Sequence, residues 1–333
     1  MRLQAELLKD AIKNTLIYHG LSEKCSRRTA ECMVLADLYG ITTHGSVVLP
    51  SHIDRIKRGG YHLNPTFEIV DETASYAIID ADNAIGFSSA TYCMKYAMAK
   101  AKEQGIFTVF SHHANAYGAA CCYPMMAAQE GMIGFTCCNS PSAMAPIFGK
   151  TKLFGTNPLS MVVPAKEEKA IIIDMATSKV AKSKFLQAKR DGDLLPDGWA
   201  LDKDGNPTND PDTAIQGLVC PMEGFKGYGL ALMIDLIAGL LSGAAWQNHV
   251  GRFYNETGEA MNVGHMFVAM DPRKLYGDNF YEMMDQYIGE IRKSEAVTDD
   301  CPIAVPGDDK HRAFAINTKQ GIELSEIVQS VLI

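Results

Sequence analysis

No G-x-G-x-x-G turn follows an expected strand anywhere in this sequence, and no G-x-x-x-x-G-K-[ST] loop occurs. The two commonest glycine-rich phosphate cradles are therefore absent, and any nucleotide must be bound in another way. There are nine cysteines, but no two have C-x-x-C spacing, which removes the usual zinc and dithiol motifs. Cys121-Cys122 and Cys137-Cys138 sit inside apolar runs and read as reduced, mostly buried thiols of a cytoplasmic protein. A basic cluster is missing, and the net charge is −8. That balance argues against nucleic acid, whose phosphates call for Lys and Arg patches. The opening "MRLQAELLKD" spreads its charges and lacks an apolar core with a cleavage site, so no signal peptide is expected there. Neither an internal repeat nor a low-complexity segment is visible.

What is present is ordinary globular material: 333 residues, 47% apolar and 21% charged, enough for a large core and two lobes. Leu3, Leu7, Leu8, Ala11, Ile12, Leu16 and Ile17 recur at helical spacing, with Gly20 as a C-cap and Ser22 as the next N-cap. A second helix runs to about Tyr39, and a third goes from near Leu49 to Gly59-Gly60. From residue 67 strands alternate with helices: "FEIVDETASYAIIDAD", then the helix "GFSSATYCMKYAMAKAKEQG", then "IFTVFSH", "MIGFTCCNS", "LSMVVPA" and "KAIIIDMAT" as strands. The pattern predicts α/β (α+β), with a helical lobe of residues 1–66 plus 310–333 on a mixed α/β lobe of residues 67–309. Residues 186–217, centred on "DKDGNPTNDPD", read as a surface excursion with no core of its own. "GYGLALMIDLIAGLLSGAAW" approaches membrane-span length, but Asp235 and its glycines favour a buried core helix. A strand "VGHMFVAMD", a helix "FYEMMDQYIGEIRKSE" and a last helix "LSEIVQSVLI" close the chain.

Candidate chemistry is sparse. His44, in "ITTHGSVVLP", sits where one helix gives way to the next; its ring titrates near neutrality and can give or take a proton, though a lone histidine at a joint serves structure as readily. Asp174 ends the apolar run "AIIID"; it either orients an imidazole or caps the following "MATS" turn, which offers N–H groups and hydroxyls to a phosphate or ribose. "GTNPLS" reads as a tight turn whose backbone can approach a ligand, and "NSPSAMAP" as a ligand-facing loop. Lys226 opens a helix, against its dipole, so it is solvated or bound to an anion. "VPGDD" is another turn with carboxylates. His112 and His113 are neighbours in a strand pattern and should face opposite ways, and His265 sits in a strand of its own. No three ligands show zinc spacing, and metal is set aside.

Taken together and in order, "THG", "GTNPLS", "DMATS", "FKGYGLALMIDLIAGLLSG", "GHMFVAMDP" and "VPGD" resemble the malate/L-lactate dehydrogenase family, which does not use the ordinary Rossmann fold. The resemblance runs from about residue 3 to 330. "YGITTHG", "DADNAIGF" and "GWALDKDGNPTNDP" are most similar to its ureidoglycolate dehydrogenase branch. It implies a homodimer and a nicotinamide cofactor, NAD with NADP as the alternative. It further implies hydride transfer to or from the 2-position of a small 2-hydroxy or 2-oxo acid, with no nucleic acid or membrane partner. The family's proton-transferring histidine falls on His44, preceded by Thr43 in place of serine, and its partner aspartate on Asp174. Cofactor contacts fall on Ser140, on Asp174, Met175 and Ala176, on Lys226, and on Pro306, Gly307 and Asp308. Lys179, Lys182 and Lys184 are a solvated face or the cations a ribose 2′-phosphate would need.

Three substrate positions depart from that pattern. An arginine that would fork onto a substrate carboxylate is replaced by Val48, a second histidine by Ala116 between Asn115 and Tyr117, and an aromatic residue by His52. Either the substrate lacks the usual carboxylate, or another group such as His52, Arg55, His112 or His113 binds it. Otherwise the protein is a weakened cofactor-binding relative, or the histidine's register in "SHHANAYGA" lies one residue away.

Overall fold

Leu8, Ile12 and Leu16 fall on one face of helix α1 (Ala5–Tyr18), and all three are fully buried. The left-handed Gly20 ends that run, and Ser22 Oγ accepts from Cys25 N to start α2 (Glu23–Leu38). A 3-10 turn (Ser46–Val48) leads into α3 (Leu49–Lys57). This is a computed structural model, and it describes residues 1–254, 258–298 and 300–333.

Twelve β-segments are described: β1 (Arg2–Leu3), β2 (Glu68–Glu72), β3 (Tyr76–Asp80), β4 (Ile106–Ala114), β5 (Ile133–Cys138), β6 (Leu159–Val163), β7 (Ile171–Met175), β8 (Ala200–Leu201), β9 (Pro207–Thr208), β10 (Leu218–Val219), β11 (Val263–Met270) and β12 (Ile322–Glu323). Seven of them make a sheet of order β2-β3-β4-β11-β5-β6-β7, antiparallel except for the β3/β4 pair. The mixed sheet with helices on it is the expected fold class. Between the strands run α4 (Gly86–Gln104) and α5 (Cys122–Gln129). One apolar core joins Leu8, Met33 and Leu49 of the first helices to Phe87 and Met94 of α4 and to Phe107 and Phe267 of the sheet. The termini meet in the short β1/β12 ladder.

Four expectations are corrected. Residues 186–217 do have a core. Helices α6 (Ser183–Asp191) and α7 (Pro211–Gln216) and the small sheet β10-β8-β9 enclose Phe185, Leu195, Ala200 and Ala214. Ala143, Phe154 and Ala231, supplied from outside the segment, complete it, so its own polar composition hid it. The long apolar run is not a buried helix throughout. Helix α8 (Phe225–Ile234) passes into a π-type turn (Asp235–Leu240), and only one face is buried, through Ala231, Ile234, Asp235 and Ala238. Leu236, Leu240 and Leu241 are exposed. Among the described residues no helix is long and apolar enough to cross a membrane.

The chain end differs too. After α9 (Pro272–Leu275) and α10 (Asn279–Arg292) comes α11 (Asp308–Gln320), a helix not singled out within the expected helical segment 310–333, and the last helix α12 is just Glu326–Gln329. Helix α11 is rich in charged and amide side chains and has no buried residue, so it lacks the apolar stripe that betrays a helix. Finally, β4 carries an extra residue opposite Val263–His265 of β11. In this bulge His113 takes φ +48°, and the strict alternation assumed for His112 and His113 fails.

Candidate active site

The joint that carries His44 is built around a buried carboxylate. Asp37, at the end of α2, accepts the Ser46 N–H at 2.9 Å. A Cβ on Gly45 would overlap that carboxylate, which explains the glycine of "THG". Burial pushes Asp37 up to about 6, and the hydrogen bonds from Ser46 work against that rise. Helix α11 secures the joint from outside, with Asn317 Nδ2 donating to the carbonyls of Asp37 and Leu38 at 3.0 and 3.2 Å. Within it His44 Nδ1 lies 2.8 Å from Thr43 Oγ1, and burial lowers the ring's proton affinity. Ile41 packs into a cluster with Val162 of β6, Ile172 of β7 and Cys121, so the joint rests on the sheet.

At one end of that sheet four loops converge. Asn157 is buried in "GTNPLS"; its Oδ1 accepts Ser140 N at 3.1 Å and its Nδ2 donates to the Ala231 carbonyl of α8 at 2.8 Å. "GTNPLS" is therefore more than a turn: it stitches the 139–142 loop to the helix. Thr177, after Met175 and Ala176, donates from N and Oγ1 to Thr156 O, both at 3.0 Å, and its own carbonyl accepts Met222 N at 2.9 Å. A Cβ on Gly227 would strike the Thr177 carbonyl, so α8 can approach only through a glycine. Lys226, one residue earlier, is exposed. The 305–308 turn lies beside β7, with Ile172 N donating to Pro306 O at 2.9 Å and the left-handed Gly307 against Ile172. Asp308 is clamped in a fork by Arg292 at 3.0 and 2.8 Å, which holds its carboxyl below the usual range.

The structure thus brings Ser140, Asp174, Met175 and Ala176 to one sheet end, with Pro306, Gly307 and Asp308 beside β7. Among the described residues no hydrogen bond or ion pair runs from Asp174 to His44. Burial raises the Asp174 carboxyl, offset in part by the Cys121 thiol and Lys310, while His44 Nδ1 is held by Thr43. Thr43, rather than the aspartate, fixes the ring in this geometry.

The departing positions are equally plain. Val48 is half-buried against the main core. His52 is enclosed by Phe87 and Phe253, its Nδ1 2.7 Å from Tyr61 Oη, and burial followed by the Arg55 charge lowers it to about 3. Arg55 donates to Phe253 O at 3.0 Å, Glu259 O at 2.6 Å and Asn115 Oδ1 at 3.3 Å. Ala116 is half-buried, with its carbonyl where a Cβ on Gly86 would fall. His265 is fully buried and stacked on Tyr117 at 4.6 Å, and among the described residues neither ring nitrogen has a well-formed hydrogen bond, the backbone of Asn115 being its nearest polar influence.

Sequence reasoning missed Asp37, Lys310, Arg292, Asn317 and the partners of Asn157; only "GTNPLS" and "VPGDD" hinted at two of them. Of the three lysines after "MATS", Lys179 pairs with Glu223 at 3.1 Å and Lys184 with Gln187 at 3.1 Å. The Lys182 side chain has no partner among the described residues. Burial and then Arg252 lower its proton affinity, and the same cations act on Lys152.

Comparison with known proteins agrees with this architecture. The family model described as malate/L-lactate dehydrogenase matches residues 3–332. The chain is similar to malate/(S)-sulfolactate dehydrogenase of Methanothermus fervidus, 36% identical over 92% of this chain and 89% of that one. It is similar to ureidoglycolate dehydrogenase (NAD(+)) of Escherichia coli K12, 33% identical over 100% of this chain and 95% of the other. Among solved structures, sulfolactate dehydrogenase from Methanocaldococcus jannaschii superposes with a TM-score of 0.91 at 34% identity, covering 99% of this chain and 95% of that chain. A (2R)-3-sulfolactate dehydrogenase (NADP(+)) from Chromohalobacter salexigens is 33% identical over 90% of this chain and 87% of its own length. With the motifs, the sheet and the loop constellation in place, the chain is an NAD(P)-dependent dehydrogenase belonging to the malate/L-lactate dehydrogenase family.

Proposed function

We propose that the protein transfers hydride between NAD(H) and the 2-position of a small 2-hydroxy or 2-oxo acid, of the malate, lactate or ureidoglycolate kind, with His44 as proton donor and acceptor. The observation that carries this reading is the joint itself: a desolvated imidazole held by Thr43 and seated through Ile41 on the sheet that bears the four loops. When bound, the nicotinamide supplies or accepts the hydride. The chain does the rest. With Nδ1 committed to Thr43, Nε2 faces the substrate oxygen. Burial favours the neutral ring, ready to take the hydroxyl proton during oxidation; in reduction the imidazolium delivers it to the oxygen that gains charge. Ser140, Asp174, Met175, Ala176, Lys226, Pro306 and Gly307 would hold the cofactor. Asp308 contributes through the shape of its turn, since Arg292 occupies its carboxylate. Lys182, without a side-chain partner among the described residues, supports use of NADP(H) as well.

A second reading concerns the substrate. Every group suggested as a stand-in for the missing arginine is committed elsewhere: His52 to Tyr61, His112 and His113 to Asp80, and Arg55 to three oxygens. This favours a substrate whose end near Val48 is uncharged, such as a cyclic imine or neutral carbonyl compound. A panel of 2-oxo acids, cyclic imines and neutral carbonyls, followed at 340 nm with NADH and NADPH, decides between them. Preference for acids that strengthens in Val48→Arg supports the first reading. Preference for uncharged compounds, lost in Val48→Arg, supports the second. No turnover of any of them contradicts both.

The exposed Leu236, Leu240 and Leu241 support a homodimer, and nine free thiols support a reducing cytoplasmic setting.

A further inference from the structure

The bulge in β4 turns two neighbouring histidines onto one carboxylate. Asp80, the last residue of β3, has Oδ2 2.9 Å from His113 Nδ1 and 3.7 Å from His112 Nε2. Hydrogen bonds around the cluster hold these groups in place. Asp80 Oδ1 accepts the Asp82 N–H at 2.7 Å, which leaves Oδ2 free to face the rings. His112 Nδ1 lies 2.9 Å from the Ser242 carbonyl, so that nitrogen carries the proton and Nε2 is left with its lone pair. His113 is held in its left-handed conformation by three backbone anchors. Its N–H donates to Asn262 Oδ1 at 2.8 Å, its carbonyl accepts Asn83 N at 3.0 Å, and the His112 carbonyl accepts Ala81 N at 3.0 Å. A non-glycine residue kept at φ +48° is costly, and such strain persists where the surroundings over-determine it. None of these groups is used by the dehydrogenase reading.

We propose that Asp80, His112 and His113 form a binding site for a divalent transition metal of the zinc class, ligated through Asp80 Oδ2, His112 Nε2 and His113 Nδ1 with water completing the shell. Two imidazoles and one carboxylate suit zinc, cobalt or nickel and not magnesium or calcium, which take oxygen. The spacing fits: bonds of about 2.0–2.1 Å in a tetrahedral site place ligand atoms roughly 3.3 Å apart, between the two distances observed. All three ligand atoms lie within 4.8 Å of one another. The side chains of His112, Asp80 and His113 are 14%, 27% and 54% exposed, so an ion can enter and still be partly enclosed. Its role is structural. It ties the end of β3 to the end of β4, just before Asn115 and Ala116, and through His112 to the Ser242 carbonyl beyond the π-type turn.

The test is titration of EDTA-stripped protein with zinc, nickel or magnesium chloride by calorimetry, beside Asp80→Asn and a His112→Ala/His113→Ala double variant. One zinc or nickel per chain is expected. Binding should weaken at least tenfold in each variant, circular dichroism showing that they fold, and a rise in Tm with metal should occur only in the wild type. Zinc binding that the double variant retains, or magnesium binding as tight as zinc, overturns the site. Cobalt added to the wild-type protein gives a readout independent of any variant. Visible d–d bands without thiolate charge transfer are expected; thiolate bands would assign the metal to a cysteine such as Cys301 and overturn the proposal.

Discussion

At the scale of single residues, two histidines show how burial divides roles. His44 keeps one hydrogen-bonding neighbour at a joint seated on the sheet, whereas His265 is sealed in an aromatic stack with neither nitrogen well hydrogen-bonded among the described residues. Burial lowers His265 from its ordinary 6.5 to about 3. Below pH 6.5 the unfolded chain therefore takes up a proton that the native state refuses. Stability is lost as pH falls from about 6.5 toward 3, at roughly 1.4 kcal/mol per pH unit for this group. His265→Phe removes that loss. The variant should be at least as stable as the wild type at pH 7.5, and its advantage should grow by about 2 kcal/mol on going to pH 5. Urea midpoints at the two pH values measure it, and parallel curves would show that His265 does not titrate as described. For His44 the same depression means that oxidation, which needs the neutral ring, should persist below pH 6.5, while reduction should decline as pH rises.

Among the elements, the loops at the sheet end depend on Asn157. Replacing it with alanine leaves the part-buried N–H of Ser140 without this partner and takes one of two donors from the Ala231 carbonyl, which keeps the Asp235 N–H, costing roughly 1–3 kcal/mol of stability. The KM for NADH should rise more than kcat falls, because the cofactor loops lose their register before the His44 joint is touched. An unchanged KM in a folded variant would separate these loops from the cofactor. That stitch was only half legible. "GTNPLS" announces a turn, but the partners of Asn157 lie 17 and 74 residues away, and spacing along a chain does not report such contacts. Periodicity located the first helices and the sheet strands because each has a face to bury. It failed at α11, which buries nothing, and at residues 186–217, whose core is completed by Phe154 and Ala231 from outside. It also failed at the β4 bulge, where one extra residue reverses which way His113 points. The motif residues were found in order; which of them touch was not, and the Cys121 thiol and Lys310 that act on Asp174 gave no signal in the sequence.

For the molecule as a whole, one apolar face has no covering element among the described residues. Leu236, Leu240 and Leu241 lie outward from the π-type turn while Ala238 on its other side is buried. If two chains meet there, Leu236→Lys combined with Leu240→Lys should convert a dimer to a monomer in light scattering, with the far-UV spectrum unchanged; a variant that stays dimeric would place the interface elsewhere. The account rests most heavily on His44 as the group that moves the proton. The measurement that tests it most directly follows NADH oxidation at 340 nm with the preferred carbonyl substrate, in wild type and His44→Ala, with NADH binding followed by fluorescence. The account predicts turnover in the wild type and a loss of about 10²- to 10⁴-fold in the variant, with NADH affinity retained. Turnover that survives in His44→Ala, or a wild type that binds NADH and turns nothing over, would contradict it.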